Sequence, residues 1–234
     1  MKGAPSRPRL QASGDSLLLV ELEAGMDPVV NARAVALAEA LRAARLPGVR
    51  DVVPSYACVG VHVDPLRLDA AALERAIAEA WDVGPLETGP AGRLIEIPVC
   101  YGGEHGPDLD EVAAFAHCSP DDVVRRHSDA VYRVYMLGFL PGFAYLGAVD
   151  EMIAMPRRAT PRAAVPAGSV GIAGRQTGVY PSVSPGGWRL VGRTPWRMFE
   201  AGRPRPSVLE AGDRVRFVPV AAGQWPLFEG GPPA

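Results

Sequence analysis

The chain has 234 residues, of which 48% are hydrophobic and 21% are charged, and its formal net charge is −2. This composition is typical of a globular protein with one large domain or two small ones, and the small net charge gives no electrostatic reason to expect nucleic-acid binding. No apolar run is long enough to span a bilayer, and the N-terminal segment lacks the apolar core of a signal peptide, so we expect a cytoplasmic protein that does not bind membranes.

Residues 1–100 alternate between strand and helix patterns. Asp27 can N-cap a helix with Pro28 at its first position, and Asp69 can cap a second helix. The order strand, helix, strand, strand, helix, strand predicts a ferredoxin-like α+β domain, with Gly84–Gly92 as the connector before the last strand. The predicted strands are Ser16–Glu23, Val49–Val53, Tyr56–Val63 and Arg93–Val99.

Residues 101–234 begin with two short helical patterns, and no further helical pattern follows them. The helices are predicted at Asp108–His117 and Ser119–His127, the second with Ser119 as its N-cap and Pro120 at its first position. Many short strands with frequent Gly/Pro turns predict a small β-barrel or sandwich. The strand-like runs are Tyr132–Leu137, Gly171–Ala173, Gly178–Tyr180, Trp188–Val191 and Arg214–Val218.

Several familiar catalytic motifs are absent. Lys2 is the only lysine, so the body of the chain has no lysine for a phosphate loop, a Schiff base or attached biotin. The glycines of Gly171–Gly178 match neither a phosphate loop nor a dinucleotide fingerprint. Ala167–Gly171 carries alanine where a nucleophile elbow requires glycine, and it lacks the strand–turn–helix context. The histidines and cysteines lack metal-ligand spacing, so no metal site is predicted.

The segment Tyr135–Thr194 concentrates the candidates for a binding site. Glycine, proline and aromatic residues recur there with almost no acidic residues, and the aromatic content argues against disorder. We therefore predict an ordered surface built from turns, the kind of surface that often carries function. Its aromatic residues could line a pocket for a small amphipathic molecule or fill a barrel core; they are Phe139, Phe143, Tyr145, Tyr180 and Trp188.

Two kinds of ionisable residue remain as candidates. His127 could act as an acid or base near neutral pH, or could instead interact with the C-terminal end of its helix. Arginines in or beside the segment could bind an anionic ligand, or could be solvated charges at strand edges. These arginines are Arg157, Arg158, Arg162, Arg175, Arg189, Arg193 and Arg197.

Four motifs follow one another in the second half of the chain: Tyr132–Gly147, Thr160–Arg162, Val165–Pro181 and Ser184–Pro195. They resemble the family of 5-oxoprolinase B subunits, which includes the Kip-type kinase inhibitors and the allophanate hydrolase subunit 1 proteins. Gly14–Leu22, Ile97–Leu109 and Gly212–Pro219 extend the similarity over nearly the whole chain in order.

The resemblance implies a fold and an activity. The fold would be a ferredoxin-like domain followed by a cyclophilin-like β-barrel, assigned to residues 1–100 and 101–234. The chain would act with the C and A subunits of 5-oxoprolinase, converting the lactam 5-oxoproline to glutamate with ATP bound somewhere in the complex. Any biotin-dependent role would need biotin supplied in trans.

Within this frame we expect the substrate contacts to come from the glycine-rich motif and its neighbours. Gly168, Ser169 and Gly171 would offer backbone contacts, while Gln176, Thr177 and Tyr180 would contact the lactam. Arg175 or Arg193 would hold phosphate or the substrate carboxylate, and His127 would be the acid–base candidate.

Two other functions fit the same resemblance. The barrel could dock on a sensor histidine kinase as an inhibitor, or the chain could be the carboxyltransferase part of a urea-amide system. Neighbouring reading frames for the A and C subunits would favour the oxoprolinase.

Overall fold

A computed structural model describes residues 7–23, 25–82 and 92–231. The chain divides into two compact units, residues 1–92 and 93–234, and each has its own buried apolar cluster. Among the described residues, no helix has the length and apolar character needed to cross a membrane. Most of the predicted connector, residues 84–91, lies outside the described part of the chain.

The first unit is a four-stranded antiparallel sheet with two helices that share its core. Asp27 caps the first helix by accepting hydrogen bonds from the Val29 and Val30 amides, as predicted. Helix residues Leu37 and Leu41 are buried in the same cluster as strand residue Val61. The elements are β1 (Arg9–Ala12), β2 (Leu17–Glu21), α1 (Pro28–Ala44), β3 (Val49–Pro54), β4 (Cys58–Val63) and α2 (Ala70–Asp82).

The strand order of this sheet is ferredoxin-like, but its edge strand was predicted wrongly. The order is β1-β2-β4-β3, and the edge beside β2 is occupied by β1 through an N-terminal hairpin rather than by Arg93–Val99. The Ser13 amide donates to the Leu17 carbonyl, and Gly14 supplies the positive φ that this turn requires. A short local hairpin can therefore complete the sheet.

The predicted fourth strand instead belongs to the second unit. It forms β5 (Leu94–Tyr101), which pairs in parallel with the last strand of the chain and antiparallel with a third. Residues 97–100 are buried consecutively, as expected for a strand covered on both faces rather than for a sheet edge. The division of the chain accordingly lies at Gly92/Arg93, and the predicted boundary at 100/101 would cut through β5.

The second unit is a closed barrel of seven strands. Its strand order is β10-β7-β6-β13-β5-β12-β9, and β8 and β11 form a separate two-stranded sheet. Both predicted helices are present, and Ser119 accepts the capping hydrogen bond from the Asp122 amide. The elements after β5 are α3 (Leu109–Phe115), α4 (Pro120–Ser128), β6 (Val131–Leu137), β7 (Ala144–Gly147), a 3-10 helix (Glu151–Ile153), β8 (Arg162–Val165), β9 (Ser169–Ala173), β10 (Gln176–Val179), β11 (Ser184–Gly186), β12 (Arg189–Arg193), β13 (Arg214–Pro219) and a second 3-10 helix (Ala222–Phe228).

Candidate functional site

His127 lies at the end of α4 with no exposed surface, and both of its ring nitrogens are hydrogen-bonded. The Tyr101 hydroxyl lies 2.7 Å from Nδ1, and the Thr177 hydroxyl lies 2.9 Å from Nε2. The Thr177 hydroxyl also donates to the Gly171 carbonyl at 2.9 Å. Since Thr177 has a single proton and the carbonyl can only accept, His127 Nε2 must be the donor to Thr177. Tyr101 then donates to Nδ1, and every polar group in the chain of hydrogen bonds is satisfied.

This environment keeps His127 neutral. Burial lowers the pKa of its imidazole to about 3, and the ring stacks on Phe217 with centroids 4.7 Å apart. A low pKa and full burial disfavour proton exchange with a ligand near neutral pH. The acid–base role stays a prediction, and the geometry favours a positioning role inside the barrel.

Gly168 and Ser169 use their backbone groups within the protein. The Gly168 amide donates to the Tyr180 carbonyl at 2.7 Å, and the Gly168 carbonyl accepts from the Thr194 amide at 2.9 Å. The Ser169 carbonyl accepts from the Tyr180 amide, and the Ser169 side chain is buried. These backbone groups link strands of the barrel, so a ligand would have to compete with the fold for them.

Gly171 on β9 and Gly178 on β10 are paired directly opposite each other. Aromatic side chains pack against the backbone of these two glycines. A Cβ at Gly171 would lie 3.0 Å from the Trp188 Cβ, and one at Gly178 would lie 2.7 Å from the Ala144 carbonyl oxygen. The missing side chains leave room for an outer cluster in which the rings of Phe143, Tyr180 and Trp188 meet edge to face.

Tyr180 therefore packs as a core residue of this outer cluster rather than lining an open cavity. Its side chain is buried, and burial raises the pKa of its phenol. Phe139 stands at the rim of the cluster and is largely exposed. Of the two interpretations left open for the aromatic residues, the arrangement fits packing better than a ligand cavity.

The polar residues of β10 and its preceding turn point in different directions. Thr177 is fully buried in the barrel, and its neighbour Gln176 is half-buried. Arg175 lies at the turn between β9 and β10, where its exposed guanidinium is 3.3 Å from Glu151. Alternation along the strand thus separates residues that are adjacent in sequence.

A buried ionic cluster was missed by the sequence analysis. Asp108 accepts two hydrogen bonds from Arg162, one from Arg158 and one from the Leu190 amide. Burial alone would raise the pKa of Asp108, but these hydrogen bonds and the charges of the two arginines hold that pKa below its usual value. The cluster ties β8 and the preceding loop to the start of α3, which is a structural role. Its only signal in the sequence was the density of arginines around residue 160.

An open pocket of about 650 Å³ lies beside the barrel, and two of the candidate arginines, Arg193 and Arg197, line it. Arg193 donates from Nε to the Ala167 carbonyl at 2.8 Å, and its guanidinium lies over the Trp225 ring, 5.6 Å from the centroid. His105 stacks on Trp225 with centroids 4.8 Å apart. The other lining residues are Glu104, Pro195, Ala222, Pro226, Glu229 and Gly230.

The structure therefore does not bring the predicted residues together in one cavity. His127 and Thr177 share the barrel interior, Gly171 and Tyr180 belong to the outer aromatic cluster, and the remaining candidates lie elsewhere. Apart from Arg193 and Arg197, the pocket residues were missed by the sequence analysis, because the lining comes from three distant segments. The clearest signal for them is Trp225, in a C-terminal stretch rich in Gly and Pro. No group of three metal-binding side chains occurs among the described residues.

Comparison with known proteins places this architecture in a family. The family described as carboxyltransferase domain, subdomain C and D, matches residues 8–209. The B subunit of 5-oxoprolinase from Bacillus subtilis is 38% identical, with 95% of this chain and 97% of that protein aligned. The B subunit of 5-oxoprolinase from Escherichia coli O157:H7 is 43% identical, with 93% and 98% aligned.

A solved structure confirms the fold. The protein TTHA0988 superposes with a TM-score of 0.79 at 40% identity, covering 88% of this chain. This chain spans only 40% of the length of that protein. With the seven-stranded barrel and the family match over residues 8–209, the chain belongs to the carboxyltransferase subdomain C and D family, together with the proteins named as B subunits of 5-oxoprolinase.

Proposed function

We propose that this chain is the B subunit of an ATP-dependent 5-oxoprolinase, which opens 5-oxo-L-proline to L-glutamate. The supporting observation is the similarity to two proteins of that name, at 38% and 43% identity over nearly the full length of each chain. Because both alignments extend across almost the whole chain, the similarity includes both structural units and not the barrel alone.

The chemistry explains why ATP is needed. The lactam amide is stabilised by resonance, so water attacks its carbonyl carbon slowly. Transfer of a phosphoryl group from ATP to the carbonyl oxygen makes that carbon more electrophilic. Water then adds, the ring C–N bond breaks with a proton moving to nitrogen, and the acyl phosphate that remains is hydrolysed to the carboxylate and phosphate. The protein must orient the lactam and offset the developing negative charge.

This chain would share that task with other proteins of the complex. Its sequence offers no phosphate loop, and its single lysine is Lys2. We therefore propose that the A and C subunits complete the enzyme, that ATP is bound by the complex, and that this chain alone has little activity. Arg193 is the predicted substrate residue best placed to contact a ligand, since it lines the open pocket.

The two other functions have less support. The curated relatives described above carry the name of an oxoprolinase component, and neither a kinase inhibitor nor a urea-amide enzyme is among them. The exposed Phe139 at the rim of the aromatic cluster is compatible with protein docking, but it does not distinguish a kinase from another component of the oxoprolinase.

Reconstitution tests the proposal. The chain is co-expressed with 5-oxoprolinase A and C subunits from the same source organism, and glutamate and phosphate release from 5-oxo-L-proline and ATP is measured. We expect release from the complete complex and almost none when any one of the three proteins is omitted. A complete, soluble complex that releases neither product would refute the proposed function.

A further inference from the structure

The open pocket beside the barrel holds charged side chains of both signs. Arg193 and Arg197 come from the end of β12 and the segment that follows it, Glu104 from the loop after β5, and Glu229 from the segment after the second 3-10 helix. The rim is held in place by Arg203, which donates to the Gly230 carbonyl at 2.6 Å. The pocket is thus assembled by three separate segments of the second unit.

Arg193 is positioned but not neutralised. Its Nε–H is bound to the Ala167 carbonyl, and its guanidinium lies over Trp225. Within residues 7–23, 25–82 and 92–231, no carboxylate forms an ion pair with Arg193 or with Arg197. A planar guanidinium fixed at one edge leaves its other N–H groups to bind a carboxylate in a forked geometry.

The two acidic side chains restrict the class of ligand. Glu104 and Glu229 form no ion pair within the described part of the chain either. They can accept hydrogen bonds from an N–H group, but they would repel the several negative charges of a nucleotide triphosphate. The Trp225 ring already contacts His105 and Arg193, so it is a poor platform for a purine.

We propose that this pocket binds a small carboxylate that also carries an N–H donor, the class that contains both 5-oxoproline and amino acids such as glutamate. The carboxylate lies against Arg193 and Arg197, and the lactam N–H or ammonium group faces Glu104 or Glu229. This inference rests on the proposed function for its choice of ligand, and on the paired charges of the pocket for its chemistry. It adds Arg197 and the two glutamates as specificity-determining residues.

The binding test uses the tryptophans of the full chain as reporters. Fluorescence is titrated with 5-oxo-L-proline, with L-glutamate, with 2-pyrrolidinone as the lactam that lacks a carboxylate, and with ATP. We expect saturable binding of 5-oxo-L-proline, L-glutamate or both, none of 2-pyrrolidinone at the same concentrations, and loss of the signal change in Trp225→Phe. The relative affinities of the first two ligands identify which member of the class the pocket prefers.

Charge variants test the contacts. Arg197→Gln should weaken binding of the carboxylate ligand about 10-fold, which is the scale of one charge-assisted hydrogen bond. Arg193→Gln should weaken it at least as much, and Arg175→Gln serves as the matched control outside the pocket. Far-UV circular dichroism verifies that each variant is folded. Any of three results would overturn the proposal: unchanged affinity in both pocket variants, binding of 2-pyrrolidinone as tight as that of the carboxylates, or arginine-dependent binding of ATP in place of the carboxylates.

The complete complex separates this inference from the proposed function. In that complex, Arg197→Gln should raise the KM for 5-oxo-L-proline about 10-fold and change kcat little, because it removes binding that ground state and transition state share. If the complex is inactive but this chain still binds the carboxylate through Arg197, the pocket assignment stands and the proposed oxoprolinase function is refuted. If the complex is active, its KM is unchanged in Arg197→Gln and the chain binds no carboxylate, the oxoprolinase function stands and the pocket assignment is refuted.

Discussion

Polar side chains are fully hydrogen-bonded within the protein in the barrel interior, whereas charged side chains in the open pocket beside it lack ion-pair partners among the described residues. Inside the barrel, His127 and Thr177 have every donor and acceptor matched by a neighbour, and neither is exposed. In the pocket, Arg193 and Arg197 lack a carboxylate partner among the described residues. Buried polar groups must be satisfied by the protein itself, whereas a binding site keeps hydrogen-bonding capacity for its ligand. The contrast supports a structural role for the interior residues and the ligand-binding role that we propose for the pocket residues.

Gly168 gives the largest expected effect on the structural side of this comparison. It has a φ of +82°, and a Cβ there would overlap the Thr194 carbonyl oxygen. We expect Gly168→Ala to destabilise the second unit by roughly 3 kcal/mol or more, because strain in φ adds to a clash with backbone that cannot move freely. The free energy of unfolding in urea measures the effect, with Trp81→Phe as the background so that fluorescence reports the second unit.

Gly174→Ala is the matched control for that substitution. Gly174 also has a positive φ, of +57°, but a Cβ there would meet nothing within 4 Å. Its cost should be limited to about 1 kcal/mol, the penalty of the left-handed conformation alone. Equal losses for the two variants would mean that the contact with Thr194 does not matter.

The pH dependence of the free energy of unfolding tests whether His127 stays neutral in the barrel interior. His127 has a pKa of about 3 in the folded protein, below the usual value near 6.5, so the unfolded chain binds this proton more readily. The neutral histidine therefore contributes full stability above pH 6.5, and that stability is lost progressively as the pH falls toward 3. Between pH 6 and pH 4, the wild type should lose up to about 1.4 kcal/mol per pH unit more than His127→Gln, which has no titrating group there.

Urea unfolding at pH 7, 6, 5 and 4 gives both curves under identical conditions. Comparing the two proteins removes the contribution of carboxylates, which protonate in both. Parallel curves for wild type and variant would show that His127 is protonated in the folded state and that the interior is open to protons.

Thr177→Val should cost less, because it keeps the shape of the side chain and removes only the hydroxyl. The substitution leaves His127 Nε2–H without an acceptor and removes the donor to the Gly171 carbonyl. A loss of about 1–3 kcal/mol in the free energy of unfolding is expected for unsatisfied buried groups. Thr160→Val, at an exposed position, should change stability by no more than about 0.5 kcal/mol.

Thr177→Val also tests whether the barrel interior and the open pocket have different roles. If Thr177 is structural, carboxylate binding to Thr177→Val should match the wild type within about twofold at a temperature where both are folded. A large loss of affinity without loss of stability would place Thr177 in the binding site after all.

Local features of the fold were accessible from the sequence. The caps at Asp27 and Ser119 and the turn-separated strands of the barrel depend on neighbouring residues, and the structure contains them. The partner of Arg93–Val99 was predicted wrongly because strand pairing is not local. Its neighbour β13 is more than a hundred residues away, and no periodicity in either strand says which edge it joins.

The candidate site was harder to predict for a related reason. A glycine needed for packing and a glycine needed for a ligand look alike in sequence, and Gly171 and Gly178 make room for aromatic rings. Likewise, the spacing of residues in GIAGRQTG does not reveal that Thr177 points into the barrel while Arg175 lies at an exposed turn. The pocket residues are far apart in the chain, so only the folded structure assembles them.

Arg175 gives the smallest expected effect and separates the glycine-rich turn from the pocket. Its guanidinium is 56% exposed and pairs with Glu151, which is 80% exposed, so the ion pair is screened by solvent. Arg175→Gln should change the free energy of unfolding by less than about 0.5 kcal/mol and leave carboxylate affinity unchanged. Arg197→Gln removes the same charge from the same unit, so a shared effect of net charge would weaken binding in both variants. If Arg175→Gln alone reduced the affinity tenfold, the binding site would lie at the turn between β9 and β10, as the sequence motif suggested, and not in the pocket beside the barrel.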